Sequence, residues 1–200
     1  MSKSKPIANV EDALALASKS LMGRTDYMER PRLYRALALA GCAKSDEEAM
    51  AGILYVAMAR GRLTLDQAWD LNLARGIKDA LRQLSNPGLD ITTDVFSYQV
   101  RQIQLSAESP SPVNREGSEL AKATLCHAVA MEERQLMADI ATLMGETVYY
   151  GSREETIAEM DAGARVTVDG LTKQLVEVVW QKSRLIREFG VQWFVEVRGY

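Results

Sequence analysis

The sequence predicts a mostly helical protein with a small α+β segment at its C-terminal end. Three observations carry this reading. Apolar residues recur at helical spacing through most of the first 144 positions. Capping residues and Gly or Pro breaks punctuate those runs at helix-sized intervals. After Gly145 the composition shifts toward Val, Tyr, Trp and Phe, the residues that suit strands. The expected organisation is an arm at 1–9, a helical domain at 10–144 and an α+β appendage at 145–200.

The elements follow in order. Residues 1–9 are polar and contain Pro6. Val10, Ala13, Leu14, Ala17 and Leu21 mark a first helix. A polar stretch from Gly23 to Glu29 leads to Pro31, which can open a second helix because no hydrogen bond is lost in a first turn. That helix carries Leu33, Ala36, Leu37 and Ala40 and stops at Gly41. Ser45 with Glu48 reads as a capping box for a third helix, which carries Met50, Ile53, Leu54, Ala57 and Met58 and ends near Gly61. Thr64 caps a fourth with Leu65, Ala68 and Trp69. A fifth runs from about Ile77 to Leu84, and Asn86-Pro87-Gly88 breaks it.

A sixth helix is expected around Asp94 to Leu105, and a Ser- and Pro-rich loop at 106–117. A long helix then runs from about Ser118 to Met144. Beyond it, 147–150, 165–168 and 191–197 read as strands. Lys173 to Arg187 fits a helix on Leu175, Val179 and Ile186 better than a strand at QLVEVVW.

Composition narrows the function. The chain has 200 residues, a net charge of −3 and a pI near 5.4, so no strongly basic nucleic-acid binder is indicated. Cys42 and Cys126 lie in apolar helical contexts without a C-x-x-C pair, which reads as two reduced thiols. The first residues lack the apolar run of a signal peptide, and no segment has the length of a membrane span. The expected location is the cytoplasm. No Gly-rich phosphate loop is present, and one histidine gives no independent case for a catalytic triad. The carboxylates of Asp46, Glu47 and Glu48, and of Glu132 and Glu133, lack the E-x-x-H spacing of a ferritin-like metal site.

Several segments match a known pattern in order. Tyr27-Met28-Glu29-Arg30-Pro31 resembles Tyr-Ile-x-His-Pro, and the run from Ala51 to Gly61 resembles Ala-Ala-Leu-Leu-His-Asp-Val-Val-Glu-Asp-Thr. Thr64-Leu65-Asp66 resembles Thr-x-Glu, and Ile77 to Ser85 resembles Val-Ala-x-x-Val-x-x-Leu-Thr. Tyr98 to Arg101 is similar to Tyr-x-x-Arg, and the Lys122 region to Lys-Leu-Ala-Asp. The pattern that they resemble is that of the hydrolase domain of the RelA/SpoT family. Its members are HD-fold metal enzymes that remove pyrophosphate from guanosine tetraphosphate. The resemblance covers the first 144 residues and implies an HD-like helical bundle.

The departures bear on the chemistry. On this resemblance the first metal-ligand His falls on Arg30, the His-Asp pair on Tyr55 and Val56, and the Glu-Asp pair on Ala59 and Arg60. The last Asp falls on Leu125, or on His127 with a shifted register. The single histidine cannot supply a two-His site, and arginines at ligand positions repel a divalent ion. The expectation is therefore a catalytically inactive HD-fold protein that needs no metal or cofactor and acts by binding. It would regulate or inhibit a protein partner, a role that suits a protein encoded by a mobile element, or sense guanosine polyphosphate or another nucleotide-like anion without hydrolysing it. The alternative is an enzyme with a new site in the same cleft.

Arg24, Arg30, Tyr55, Arg60 and His127 are the candidate lining residues. The arginines could grip phosphate through planar bidentate contacts, or simply fill space as ion-paired residues. His127 could be a residual ligand or a satisfied interior group. Trp193, Phe194 and Tyr200 are the candidate partner-binding residues, against the alternative of a buried strand.

Overall fold

The computed structural model describes residues 9–85, 95–149 and 168–190. All the regular structure in these stretches is helical, apart from one isolated bridge between Thr25 and Pro31. The elements are α1 (Val10–Leu21), α2 (Leu33–Cys42), α3 (Asp46–Arg60), α4 (Leu65–Trp69), α5 (Arg75–Leu84), α6 (Val95–Ala107), α7 (Pro112–Tyr149) and α8 (Val168–Phe189). No described helix is long and apolar enough to cross a membrane. The described residues form two compact units, which divide between Ala128 and Val129 within α7.

In the first unit α3 is the central helix. It packs against α1, α2 and α5. A helix covered on several sides must be apolar on several sides, and Ala49 to Leu54, Val56 and Ala57 are all buried. The start of α3 is fixed by Ser45, whose hydroxyl accepts from the Glu48 backbone N–H at 3.2 Å. Glu48 returns a bond to the N–H of Lys44, one residue further back than a reciprocal box would place it. Thr64 and Gln67 form the full reciprocal box at α4.

The second unit pairs the part of α7 after Ala128 with α8. On α7, Val129, Leu136, Asp139 and Leu143 are buried. On α8, Leu171, Val178 and Leu185 are buried, with Leu175 and Lys182 half-buried between them. These positions alternate in steps of three and four residues, the repeat of a coiled-coil seam. Glu133, near the start of this part of α7, pairs with Lys182, near the end of α8. Within a compact unit, that pairing makes the helices antiparallel.

Three expectations need correction. The predicted loop at 106–117 shrinks to 108–111, because α6 continues to Ala107 and α7 opens at Pro112. A proline in the first turn loses no helical hydrogen bond, so the Pro that suggested a loop starts the helix. The predicted strand at 147–150 is helical through Tyr149. Adding residues to an existing helix needs no new nucleus, and this outweighs the strand preference of Thr147 and Val148. Val168 opens α8 rather than closing a strand, so a C-terminal α+β appendage is not supported. The predicted strand at 191–197 lies outside the described residues, as does most of that at 165–168. Lys173 to Arg187 is helical.

Candidate functional site

The loop between α1 and α2 is built around Asp26. One carboxylate oxygen accepts from the N–H groups of Met28 (2.8 Å) and Arg30 (3.0 Å). The other accepts from Arg30 Nε at 2.9 Å and pairs with its terminal nitrogen at 2.8 Å. Asp26 N–H donates to the Arg30 carbonyl, and Arg32 N–H to the Arg24 carbonyl, both at 3.0 Å. Glu29 takes φ of 60°, a left-handed conformation that a residue with a Cβ adopts only when its surroundings hold it there. This loop sets Arg24 and Arg32 side by side and commits Arg30 to Asp26.

A second junction brings α3 to the same place. Ser20, in the last turn of α1, donates from Oγ to the Ala57 carbonyl at 3.1 Å. The same oxygen accepts from the N–H groups of Arg62 (2.8 Å) and Leu63 (2.9 Å). The C-terminal ends of α1 and α3 are thereby joined, which places Arg60 near the loop arginines. Cations at two helix C-termini are favoured by the helix dipoles.

Arg35, on α2, completes the cluster. Its guanidinium reaches the Ala128 carbonyl of α7 at 3.4 Å. Burial pushes Arg35 below its ordinary value; Arg60 and Arg32 push the same way, while Tyr55 and Tyr27 oppose them. Arg32 is likewise lowered by burial first, then by Arg60 and Arg24, with Asp26 opposing. Arg24, Arg32, Arg35 and Arg60 therefore share one electrostatic neighbourhood with Tyr55 and Tyr27. Asp26, the carboxylate that supports Arg32, is already engaged by Arg30. A guanidinium stays charged at neutral pH, so the cluster gathers several positive charges in one place.

Of the residues expected to line a cleft, Arg60 acts on both Arg32 and Arg35, Arg24 on Arg32 and Tyr55 on Arg35. Arg30 is at the edge, ion-paired and over the Tyr27 ring at 6.0 Å. Leu125 is buried in the core. Trp193, Phe194 and Tyr200 lie outside the described residues. Sequence reasoning missed Arg32 and Arg35, although the run of arginines at 30, 32 and 35 was visible. It also missed the buried pair Asp79 and Gln83, one turn apart on α5. Among the described residues, Asp79 Oδ2 and both amide atoms of Gln83 have no hydrogen-bond partner, a costly arrangement for buried polar atoms.

His127 is separate from the arginines. It is buried on α7 and faces Glu48 and Lys44 at the start of α3. Residues 48 and 60 are about 18 Å apart along that helix. Burial lowers the His127 imidazole below its ordinary 6.5; Glu48 opposes this and Lys44 adds to it. An unfolded imidazole takes a proton more readily than the folded one, so protonation favours the unfolded chain. The stability contributed by neutral His127 is fully present above about pH 6.5 and is lost as the pH falls toward the folded value. Between about pH 7.5 and about pH 5, the wild type is expected to lose more stability in urea than His127→Gln. Parallel losses in the two proteins would refute this account of His127.

Among the described residues, no three His, Cys, Asp or Glu side chains gather as a metal site would require. Comparison with family models, with curated proteins and with solved structures gives no match.

Proposed function

We propose that this chain acts by binding a phosphate-rich anion at the arginine cluster, on an HD-like scaffold that has lost its metal chemistry. The observation that carries the reading is that the arginines act on one another: Arg60 lowers both Arg32 and Arg35, Arg24 lowers Arg32, and Arg32 lowers Arg35. Packing cations together costs energy that a bound polyanion returns, and planar guanidinium groups match phosphate oxygens in pairs. Tyr55 and Tyr27 supply rings beside the cations. Such a site suits a nucleotide polyphosphate, and guanosine tetraphosphate is the first ligand to try, given the sequence resemblance. The chain on this reading senses the anion without hydrolysing it and passes the signal to a partner.

The test is thermal denaturation with guanosine tetraphosphate, ATP and pyrophosphate. A ligand at a hundredfold excess over its Kd is expected to raise the melting temperature by about 5 °C. Arg32→Ala and Arg60→Ala are each expected to weaken binding roughly tenfold, while Arg187→Ala leaves it unchanged. No shift with any of the three anions, or a shift indifferent to both substitutions, would refute the site. Manganese-dependent release of pyrophosphate would refute the non-catalytic reading.

A second reading, a regulator whose main ligand is a protein, is favoured by α2. Tyr34 and Leu37 stand one turn apart and are 62% and 45% exposed. Exposed apolar side chains grouped on one helix face suit a protein partner.

A further inference from the structure

The first turns of α7 lie along α5, and three contacts fix their direction. Gln99 of α6 donates from Nε2 to the Leu84 carbonyl, at the C-terminal end of α5, at 2.6 Å. One turn on, the Ile103 carbonyl accepts from Ser118 Oγ at 2.9 Å. Ser118 adjoins Gly117, which packs on Gly76, Asp79 and Ala80. Moving along α6 from Gln99 to Ile103 therefore moves back along α5. After only residues 108–111 the chain turns again, and α7 runs back along α6. It thus sets out in the same direction as α5.

Glycines bring α5 and α7 together. A Cβ on Gly117 would lie 2.8 Å from Asp79 Cβ, and one on Gly76 would lie 2.8 Å from Cδ of Glu116. Each glycine therefore faces the other helix. Gln83 lies seven residues beyond Gly76, and Thr124 seven beyond Gly117. Seven residues make close to two full turns, so each points the way its glycine points. Gln83 faces α7, Thr124 faces α5, and the common direction of the helices brings them to one level. Asp79, one turn before Gln83, faces the same seam.

All three side chains are well inside the protein: Asp79 is 5% exposed, Gln83 2% and Thr124 3%. Asp79 Oδ1 pairs with Arg82 at 3.3 Å. Among the described residues, Asp79 Oδ2, Gln83 Oε1 and Nε2, and Thr124 Oγ1 have no hydrogen-bond partner. Three polar groups thus meet at one seam without bonding to one another. Buried polar atoms are nearly always bonded, to protein or to ordered water.

We propose that the α5–α7 seam is a buried water site, in which ordered water links Asp79, Gln83 and Thr124. The chemistry of the four atoms selects water over a cation. A hard cation takes oxygen ligands only, and it would repel the Gln83 amide N–H groups. Water serves both kinds of group. It donates to Asp79 Oδ2 and Gln83 Oε1, accepts from Gln83 Nε2, and exchanges either role with the Thr124 hydroxyl.

Water-oxygen magnetic relaxation dispersion, which counts waters held for longer than the protein tumbles, tests the proposal on the wild type and on Gln83→Met/Thr124→Val. Both replacements keep the side-chain shape and remove the polar atoms. The wild type is expected to hold at least one more long-lived water than the double variant. In rotating-frame NMR spectra of the wild type, the Gln83 side-chain N–H groups are expected to show a through-space cross-peak to water. That cross-peak decides alone if the variant does not fold. Equal dispersion in the two folded proteins overturns the proposal, and so does a missing Gln83 cross-peak, since the groups then bond directly to one another. Melting temperatures in sodium, potassium or magnesium chloride at constant ionic strength are expected to be the same for each protein. A rise with one cation that the double variant abolishes overturns the proposal in favour of an ion.

Discussion

Ser20→Ala is expected to destabilise the fold by about 3 kcal/mol. The side chain is small, but its hydroxyl serves three backbone groups at once: the Ala57 carbonyl and the N–H groups of Arg62 and Leu63. Ser20 is only 8% exposed, so water does not readily replace what alanine removes. Its surroundings cannot close over the gap either. Gly61 is already so close that a Cβ there would lie 2.4 Å from Ser20 Oγ and 2.3 Å from the Ala57 carbonyl oxygen. Urea unfolding should show a lower midpoint with an unchanged slope. The same variant should bind the anion more weakly, because Ser20 holds the end of α3, and with it Arg60, against the end of α1. A loss below about 1 kcal/mol would mean that the junction is not held by this hydroxyl.

The second large effect is expected at Gly117. Glycine within a helix is destabilising by roughly 0.5–1 kcal/mol relative to alanine, so on propensity alone Gly117→Ala should stabilise α7. The packing says otherwise. A Cβ at this position would lie 2.8 Å from Asp79 Cβ, 3.1 Å from the Gly76 carbonyl oxygen and 3.3 Å from the Ala80 nitrogen. Two of these three are backbone atoms of α5, which cannot swing aside as a side-chain end can. The helices must separate, and the neighbouring core must open with them. We expect a loss of about 2 kcal/mol for Gly117→Ala and about 4 kcal/mol for Gly117→Val. The graded series matters, because a pure propensity effect would make the alanine variant more stable. Thermal and urea unfolding of the two variants decide between these accounts.

The contrast between Gly117 and Ser45 shows what could be read from the chain beforehand. Caps are local. Ser45 and Thr64 act on backbone groups three residues away, so sequence alone places them. Gly117 looked like the end of a loop, because the α5 backbone that requires it is about forty positions away in sequence. Pro112 misled in the same direction, since a proline marks a loop and a helix start alike. Farther along, the aromatic and β-branched texture at 147–149 suggested a strand, but strand preference reflects a half-buried sheet surface and no described strand offers one there.

The candidate site was legible in part for the same reason. Arg60 and Tyr55 stood out because the resemblance placed them where metal ligands would be. Arg35 did not, because its position in α2 reads as one polar residue in a helix that also exposes Tyr34 and Leu37. What marks Arg35 is the Ala128 carbonyl, 93 residues away, and no local pattern encodes that contact. His127 was grouped with the arginines by alignment, whereas α3 separates them along its length.

The burial of Cys126 has a practical consequence. Its side chain is inaccessible, and burial pushes the thiol up to about 12, with Lys122 opposing. Only the thiolate attacks an electrophile, and at neutral pH roughly one molecule in 10⁵ would carry it. An alkylating reagent must therefore wait for the core around α7 to open before it can mark this position. Cys42, half-buried at the last position of α2, lies closer to solvent. Two cysteines in one chain thus keep different time: the reaction at Cys126 records how often the core opens, and that at Cys42 the breathing of a helix end.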